Sequence, residues 1–395
     1  MQTIGVFFGS RSPEHDISVI TGVFIIAELK KLGYSVVPVY IGKTGEWYIS
    51  DTVGSLKFFT QKNYEAELAK NNFQKYFLDL ESSRGKIVFK RKGLAGREIT
   101  IDVAFPALHG SFGEDGTIQG LFEMLGVPYV GCDVTASAVT MDKVLTKLLY
   151  QSLEIPTTKF VHFTKNDWEN DKNSILKSIN QTLTYPVFVK PARLGSSIGI
   201  AKVSKPAVIS DLETKIEVAL HYDTKALVEE GVDPVVDLTC ALIGNESVTP
   251  SLLQESVFAS DLFNFEEKYL TDGGTQLGAS KRGIVTPARL ESDISESIQN
   301  LAVKIYRDFG CAGIARVDFL YNRTTKQFFA NEINTLPGTL YHHLWKASGK
   351  EISVVLQELI ALALERQAQA KTRTFTFASS VLEQAGSLKI PGNKL

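Results

Sequence analysis

Gly313–Gly338, GIARVDFLYNRTTKQFFANEINTLPG, is the stretch that decides how this chain is read. It reads as one antiparallel hairpin carrying Arg316, Asp318, Glu332 and Asn334. Residues i and i+2 of a strand share a face, so Arg316 and Asp318 point the same way, as do Glu332 and Asn334. Both pairs can then look into a single cleft. Oxygen donors of this kind suit Mg2+, a hard cation that keeps several waters and completes its shell with substrate phosphates. The pattern points to a magnesium-nucleotide site. Taken singly, Asp, Glu and Asn near strand ends more often cap turns; the spacing is what distinguishes these.

At 395 residues the chain has room for two or three domains. A 44% hydrophobic and 22% charged composition is that of an ordinary soluble enzyme. The formal charge of −2, without a Lys/Arg run that would track a phosphate backbone, argues against a nucleic-acid partner. Cys132, Cys240 and Cys311 are odd in number and in no metal-type spacing, which argues against a disulfide framework and structural zinc and fits a reducing cytoplasm. The N-terminus MQTIGVFFGS lacks a basic leader, and no apolar run approaches the roughly 18 residues of a membrane span. Neither export nor membrane insertion is expected.

The opening reads as a βαβ unit: a strand at Thr3–Phe8, a helix at Asp16–Leu32 ending at Gly33, and a strand at Ser35–Tyr40. Ligands of such units gather at the loop after the first strand, here GSRSPEHDIS with Glu14. A second βα turn, Ile101–Gly120, carries His109, Glu114 and Asp115; residues 51–100 resist assignment. Val134–Gln151 reads as one helix containing Met141-Asp142-Lys143. Strands at Lys159–Phe163, Pro186–Pro191, Ile200–Val203 and Ala226–Glu230, with helices between them, form a small α+β unit. Long strands follow from Asp233, then a loop rich in charge and glycine at 260–283, a helix near 291–309, the hairpin, and a last helix at 351–368.

Phosphoryl transfer to a carboxylate needs a cradle for the triphosphate, lysines on its oxygens, metal ions across the β- and γ-phosphates, and a clamp for the acceptor. Gly195–Gly199 can wrap phosphates with backbone N–H groups, or can be a plain hairpin turn. Lys190, at the end of the buried strand VFVKPA, needs a partner there. Lys143 is the other lysine candidate, with a solvated helix lysine as the alternative. Glu229 and Glu230 end a strand where a base or ribose could be held, or else begin a solvated linker.

Taken in order, SRSPEHDIS, HGSFGEDGTIQG, PYVGCDVTASAVTMDK, VKPARLGSSIGI, FEEKYL and RVDFL with NEINTLPG resemble the signature of D-alanine:D-alanine ligases, members of the ATP-grasp superfamily. The resemblance runs from about residue 4 to about residue 345 and weakens at 51–100. It implies a mixed α/β and α+β fold in three domains: a Rossmann-like preATP-grasp unit at 1–139, a central ATP-grasp unit at 140–231, and a C-terminal unit at 232–395 carrying a lid at 260–283. It implies ATP and two Mg2+ ions, with Mn2+ as an alternative, as cofactors, D-alanine as substrate, and a homodimer through the N-terminal domain.

Residue by residue, the resemblance assigns Glu14 to the first D-alanine's ammonium, with Ser196 and Tyr269 completing a trio that closes a loop over the site. Lys143, Lys190, Ser197 and Lys268 would contact ATP phosphates, Glu229 and Glu230 would face adenine, and Asp237 would stand for a ribose-binding glutamate. Asp318, Glu332 and Asn334 would hold the metal ions. Arg316 and the Gly338 backbone would stabilise an oxyanion, and His109 would lie near the first substrate. The chain departs from the family where TLYHHLW follows Gly338: His343 stands in place of a serine, beside Leu344, at the second-substrate position. D-lactate, D-serine or another amino acid as second substrate, or a non-catalytic nucleotide-binding relative, are the competing readings. Asp237 sits on a run one residue longer than the family's, and Phe263 and Phe265 replace tyrosines in the lid.

Overall fold

The computed structural model describes residues 2–70, 76–91, 98–204, 209–257 and 283–381. Strand β1 (Thr3–Gly9), helix α1 (His15–Lys31), β2 (Ser35–Ile41) and β3 (Trp47–Ile49) open the chain. Strand β1 is nearly fully buried, as its unbroken apolar run requires of a parallel strand covered on both faces. After the short helices α2 (Leu56–Phe59) and α3 (Tyr64–Ala69), β4 (Tyr76–Leu78), β5 (Ile87–Arg91) and β6 (Glu98–Ile101) form a small antiparallel sheet. That sheet occupies the region without legible periodicity. Strand β7 (Val103–Pro106) then joins β1 in parallel, giving the order β3-β2-β1-β7.

Helix α4 (Thr117–Leu125) leads to the first departure from the sequence reading. The single helix expected over Val134–Gln151 is two, α5 (Val134–Met141) and α6 (Lys143–Ser152). Asp142 breaks them: its backbone leaves helical geometry (φ −91, ψ 102) and its carboxylate accepts from the N–H groups of Val144 and Leu145. It is an N-cap inside an apolar-periodic run. Lys143 thereby becomes the first residue of a helix.

The central unit contains β8 (Phe160–Thr164), α7 (Lys165–Thr182), β9 (Val187–Pro191), β10 (Ala201–Val203), α8 (Ile209–Tyr222) and β11 (Lys225–Glu230), with antiparallel order β10-β9-β11-β8. The C-terminal sheet is built on β12 (Val235–Gly244), with β13 (Val248–Pro250), β14 (Gln254–Ser256) and β15 (Ile284–Val285) on one side. Beyond it, after α9 (Ser292–Asp308), lie β16 (Gly313–Asn322) and β17 (Phe328–Asn334). One face of this sheet, through Leu238, Cys240, Val317 and Phe319, packs under α9 in its own core. The other face carries the site at one end and, at the other, merges into a second core.

That second core joins the first and last parts of the chain. Ile4, Phe8 and Ile25 pack with Ile243, Ile314, Leu344 and residues of α11 (Ile352–Ala370), which follows α10 (His342–Ala347). Arg366 of α11 reinforces the contact by donating to the carbonyls of Tyr129 (2.9 Å) and Gly131 while lying over the Tyr129 ring. The three cysteines are buried free thiols. No helix among the described residues is long and apolar enough to cross a membrane.

Candidate functional site

The hairpin forms in the expected register, with Arg316 opposite Asn334 and Asp318 opposite Glu332. Strand β12 adds Thr239 opposite Asp318, and Thr239 Oγ1 donates to Asp318 at 3.0 Å. Asp237, two residues earlier on that strand, shares the same face. Arg316 grips Asp318 with two donors, Nε at 2.9 Å and Nη2 at 2.6 Å, and lies 3.8 Å from Glu332. Asn334 Nδ2 donates to Asp318 at 3.1 Å. Burial and the Glu332 charge push the Asp318 carboxyl above its ordinary value despite Arg316. A register shift between Asp318 and Phe319 leaves Asn331 as an extra residue, and its side chain accepts from Lys190 at 3.4 Å. Bulges re-aim side chains in this way. No spacing rule in the sequence marks this one.

Lys143, placed by the helix break, donates to the Leu194 carbonyl at 2.6 Å and lies 3.7 Å from Glu332. Lys190 pairs directly with Glu229. Strand alternation separates the two glutamates expected to face adenine together. Glu229 is buried against lysines, whereas Glu230 turns to the Thr184 N–H (2.8 Å) and Lys159 (3.8 Å). Their side chains do not share a site.

Glu14 stands at the start of α1, and its side chain reaches across to the Gly195–Gly199 loop, where Ser196 Oγ donates to it. Ser196 and Ser197 both take left-handed backbone angles. Gly195 has a steric reason to be glycine: a Cβ there would stand 2.8 Å from the Glu14 carboxylate oxygens. Two members of the expected trio are thus in contact. Tyr269, Lys268 and, except for Gly283, the whole of the expected lid at 260–283 lie outside the described residues.

His109 is buried, bonded to Thr21 Oγ1 at 2.9 Å, and 4.0 Å from Glu114. Burial and the Arg316 charge push its imidazole down to about 4. Glu114 is drawn the other way, to about 8, by burial and the neighbouring Glu14 charge, and it accepts from the Gly110 N–H at 2.8 Å. It is a functional candidate that the residue assignments omit, although its loop was singled out; only the fold brings its carboxyl beside that of Glu14. Glu14, Glu114, Lys143, Gly195, Glu332 and Asn334 line one narrow cleft of about 30 Å³.

After Gly338 the chain takes a turn with no sequence signature. Thr339, Leu340 and Tyr341 have φ of 45, 56 and 52, a conformation costing roughly 1–2 kcal/mol per non-glycine residue. Burial of Leu340 and Tyr341 and a 3.2 Å bond from the Thr339 N–H to Thr21 hold it. The turn sets the Tyr341 ring against the Arg316 guanidinium, 4.9 Å from its centroid, a favourable cation–π contact. Leu344, expected at the second substrate, is fully buried in the joint core, so its side chain contacts protein alone. Leu344→Ala should therefore cost about 2–5 kcal/mol of stability in urea unfolding, and leave acceptor preference unchanged.

His343 Nε2 bonds to Gln254 Oε1 at 2.8 Å, which assigns the ring proton to Nε2; buried Nδ1 then presents a lone pair and has no partner among the described residues. Burial, His342 and Arg316 push its value down to about 4. The ring is neutral at neutral pH, so it is not the charged carboxylate donor that its replacement of serine invites. The unfolded chain binds this proton near pH 6.5 and the folded chain only near 4, so the stability His343 contributes is complete above 6.5 and lost as pH falls towards 4. The unfolding free energy of wild type relative to His343→Gln should fall over that interval. A difference independent of pH would refute the assignment.

Two carboxylates and an amide on adjacent strands, with Arg316 and Lys143 as their present counter-charges, fit a divalent ion with oxygen ligands. The donor set is too small to enclose one, and among the described residues no cluster of three or more His, Cys, Asp or Glu could hold an ion alone. Such a site relies on substrate phosphate and water for its remaining ligands. Two antiparallel α+β units facing a cleft, buried lysines on one and an acidic hairpin on the other, define the ATP-grasp class of ligases.

Family models described as D-ala D-ala ligase N-terminus and D-ala D-ala ligase C-terminus match residues 3–132 and 149–361. D-alanine--D-alanine ligase of Thermoanaerobacter pseudethanolicus is 40% identical over 367 residues, covering 92% of this chain and 96% of the relative. That of Chlorobium phaeovibrioides is 38% identical over 377 residues, covering 94% and 99%. Among solved structures, the D-alanine-D-alanine ligase from Coxiella burnetii superposes with a TM-score of 0.77 at 25% identity, covering 98% of each chain. VanG D-Ala:D-Ser ligase from Enterococcus faecalis gives 0.75 at 32%, covering 92% of this chain and 99% of that one. The chain belongs to the D-alanine:D-alanine ligase family.

Proposed function

We propose that this protein joins two D-alanines at the expense of ATP, supplying D-alanyl-D-alanine for peptidoglycan synthesis. The cleft that gathers Glu14 and Glu114 from the first unit, Lys143 and Gly195 from the second, and Glu332 and Asn334 from the third carries this reading. A carboxylate oxygen of the first D-alanine attacks the γ-phosphorus of ATP, and ADP leaves. The nitrogen of the second then attacks the acyl carbon; the bond to phosphate breaks, and the amine gives up its proton.

Glu14, with Ser196 beside it, binds the first ammonium. Lys143 and Lys190 take the phosphate oxygens, each exchanging a protein acceptor for a ligand one. Arg316, held flat by Asp318 and Tyr341, is aimed before the reaction begins, which is the condition under which a donor stabilises an oxyanion strongly. Asp318, Glu332 and Asn334 would hold Mg2+, which would supply positive charge to offset the charge on the phosphates. The domain limits at 139 and 231, a homodimer and a cytoplasmic setting belong to the same proposal. Purified protein given ATP and Mg2+ should release phosphate only when D-alanine is added, with the dipeptide detected by mass spectrometry. Phosphate release at one rate with and without D-amino acids would reject the ligase. A mixed product from a panel with D-serine and D-lactate would reassign the acceptor.

A further inference from the structure

Lys147 has no part in the site as described. It is 2% exposed, one turn after Lys143 on α6, and is not among the residues that line the cleft. Its ammonium nevertheless has three acceptors for its three N–H groups: Glu229 at 2.7 Å, and the hydroxyls of Thr157 and Thr158 at 2.9 Å each. Both hydroxyls spend their own protons elsewhere, Thr157 on the Ala330 carbonyl (3.1 Å) and Thr158 on Glu229 (3.1 Å), so their lone pairs are turned to the lysine. This is the environment of a charged, fully satisfied ammonium.

Glu229 thus has two ammonium partners, Lys147 on Oε2 and Lys190 on Oε1. The two differ in access: the side chain of Lys190 is 10% exposed, with its amine also at Asn331 on the hairpin bulge, whereas Lys147 is sealed. If Lys190 turns to a phosphate, Glu229 loses one partner. A buried carboxylate left without any cation is costly, of the order of several kcal/mol.

We infer that Lys147 is a positioning residue for ATP: a resident counter-ion that keeps Glu229 neutralised when Lys190 leaves it for the triphosphate. The inference rests on the proposal that Lys190 binds phosphate. It names a residue for which the sequence offers only a helix lysine. Without Lys147, Lys190 is the sole counter-charge of Glu229 among the described residues, and binding a phosphate means breaking that pair.

The test is a double-mutant cycle on ATP affinity, read by titration calorimetry with Mg2+, with thermal melting as the folding control. Lys147→Met should weaken ATP by at least about tenfold, one decade in Kd, while adenosine, which asks nothing of Lys190, binds as to wild type. Steady-state rates should show the loss in the KM for ATP, with kcat nearly unchanged. Lys147→Arg should restore most of the affinity. In the Glu229→Gln background there is no buried carboxylate for Lys147 to neutralise when Lys190 leaves, so adding Lys147→Met should change ATP affinity by less than about twofold. Equal losses in both backgrounds, or a parallel loss of adenosine, would make Lys147 merely structural and overturn the inference. Should Lys147→Met alone not fold, the charge-balanced double variant against Glu229→Gln decides: a tenfold difference between those two also overturns it. Wild type that binds no ATP would instead reject the proposed function.

Discussion

Arg316→Ala should lower kcat by about 10²–10³ while the KM for ATP stays within about threefold, the effect seen when one preorganised oxyanion donor is removed. The expectation follows from how the guanidinium is held. It is 6% exposed, gripped by Asp318 through two donors and backed by the Tyr341 ring, so its direction is set before substrate arrives. The same burial carries a cost for the variant: Asp318 loses its counter-charge beside Glu332, a defect of about 3–5 kcal/mol. Melting curves must therefore accompany the kinetics. Arg316→Lys separates the two effects, because lysine keeps the charge but not the planar fork. It should recover stability and little of kcat. Parallel losses of turnover and ATP affinity in both variants would assign Arg316 to the fold and not to the reaction.

Glu332→Gln is the second large effect. The substitution keeps the shape of the side chain and removes one of only two carboxylates on the hairpin face. The Mg2+ concentration for half-maximal rate should rise by roughly 10²-fold, since a ligand that contributes a few kcal/mol shifts the requirement by a decade for each 1.4 or so. Glu332 lies 3.7 Å from Lys143 and 3.8 Å from Arg316, so both cations also lose a partner in the ligand-free protein. That loss predicts unchanged or tighter binding of phosphate without metal, the opposite sign to the effect on Mg2+. An unaltered metal requirement would remove Glu332 from the metal site.

The hairpin was legible because its information is local. Alternation at i and i+2 places Arg316 with Asp318 and Glu332 with Asn334 whatever surrounds them, and the order β16-turn-β17 follows from the run lengths. The opening βαβ unit and the α+β character of the middle were legible for the same reason. Helix α6 was misread because an apolar period does not report an internal cap; Asp142 satisfies N–H groups of a second helix without interrupting the pattern. Residues 51–100 failed for a related reason. Their elements are short, and the small antiparallel sheet there is held by packing rather than by period.

By itself, then, the chain's sequence determined which residue types line the hairpin and which loops carry the polar candidates, and its ordered motifs resembled those of a known family. The hairpin and loop assignments follow from period, order and spacing, properties of neighbours along the chain. Tertiary structure alone decided which charges meet and which side chains are shut away. It set Glu229 between Lys147 and Lys190, turned Glu230 outward, sank Leu344 into the joint core, left His343 neutral against Gln254, and aimed Asn331 at a lysine 141 residues distant. The reason is that the energy of a charge or a leucine is governed by solvent exclusion and by partners brought from far along the chain, and neither is encoded in any local run.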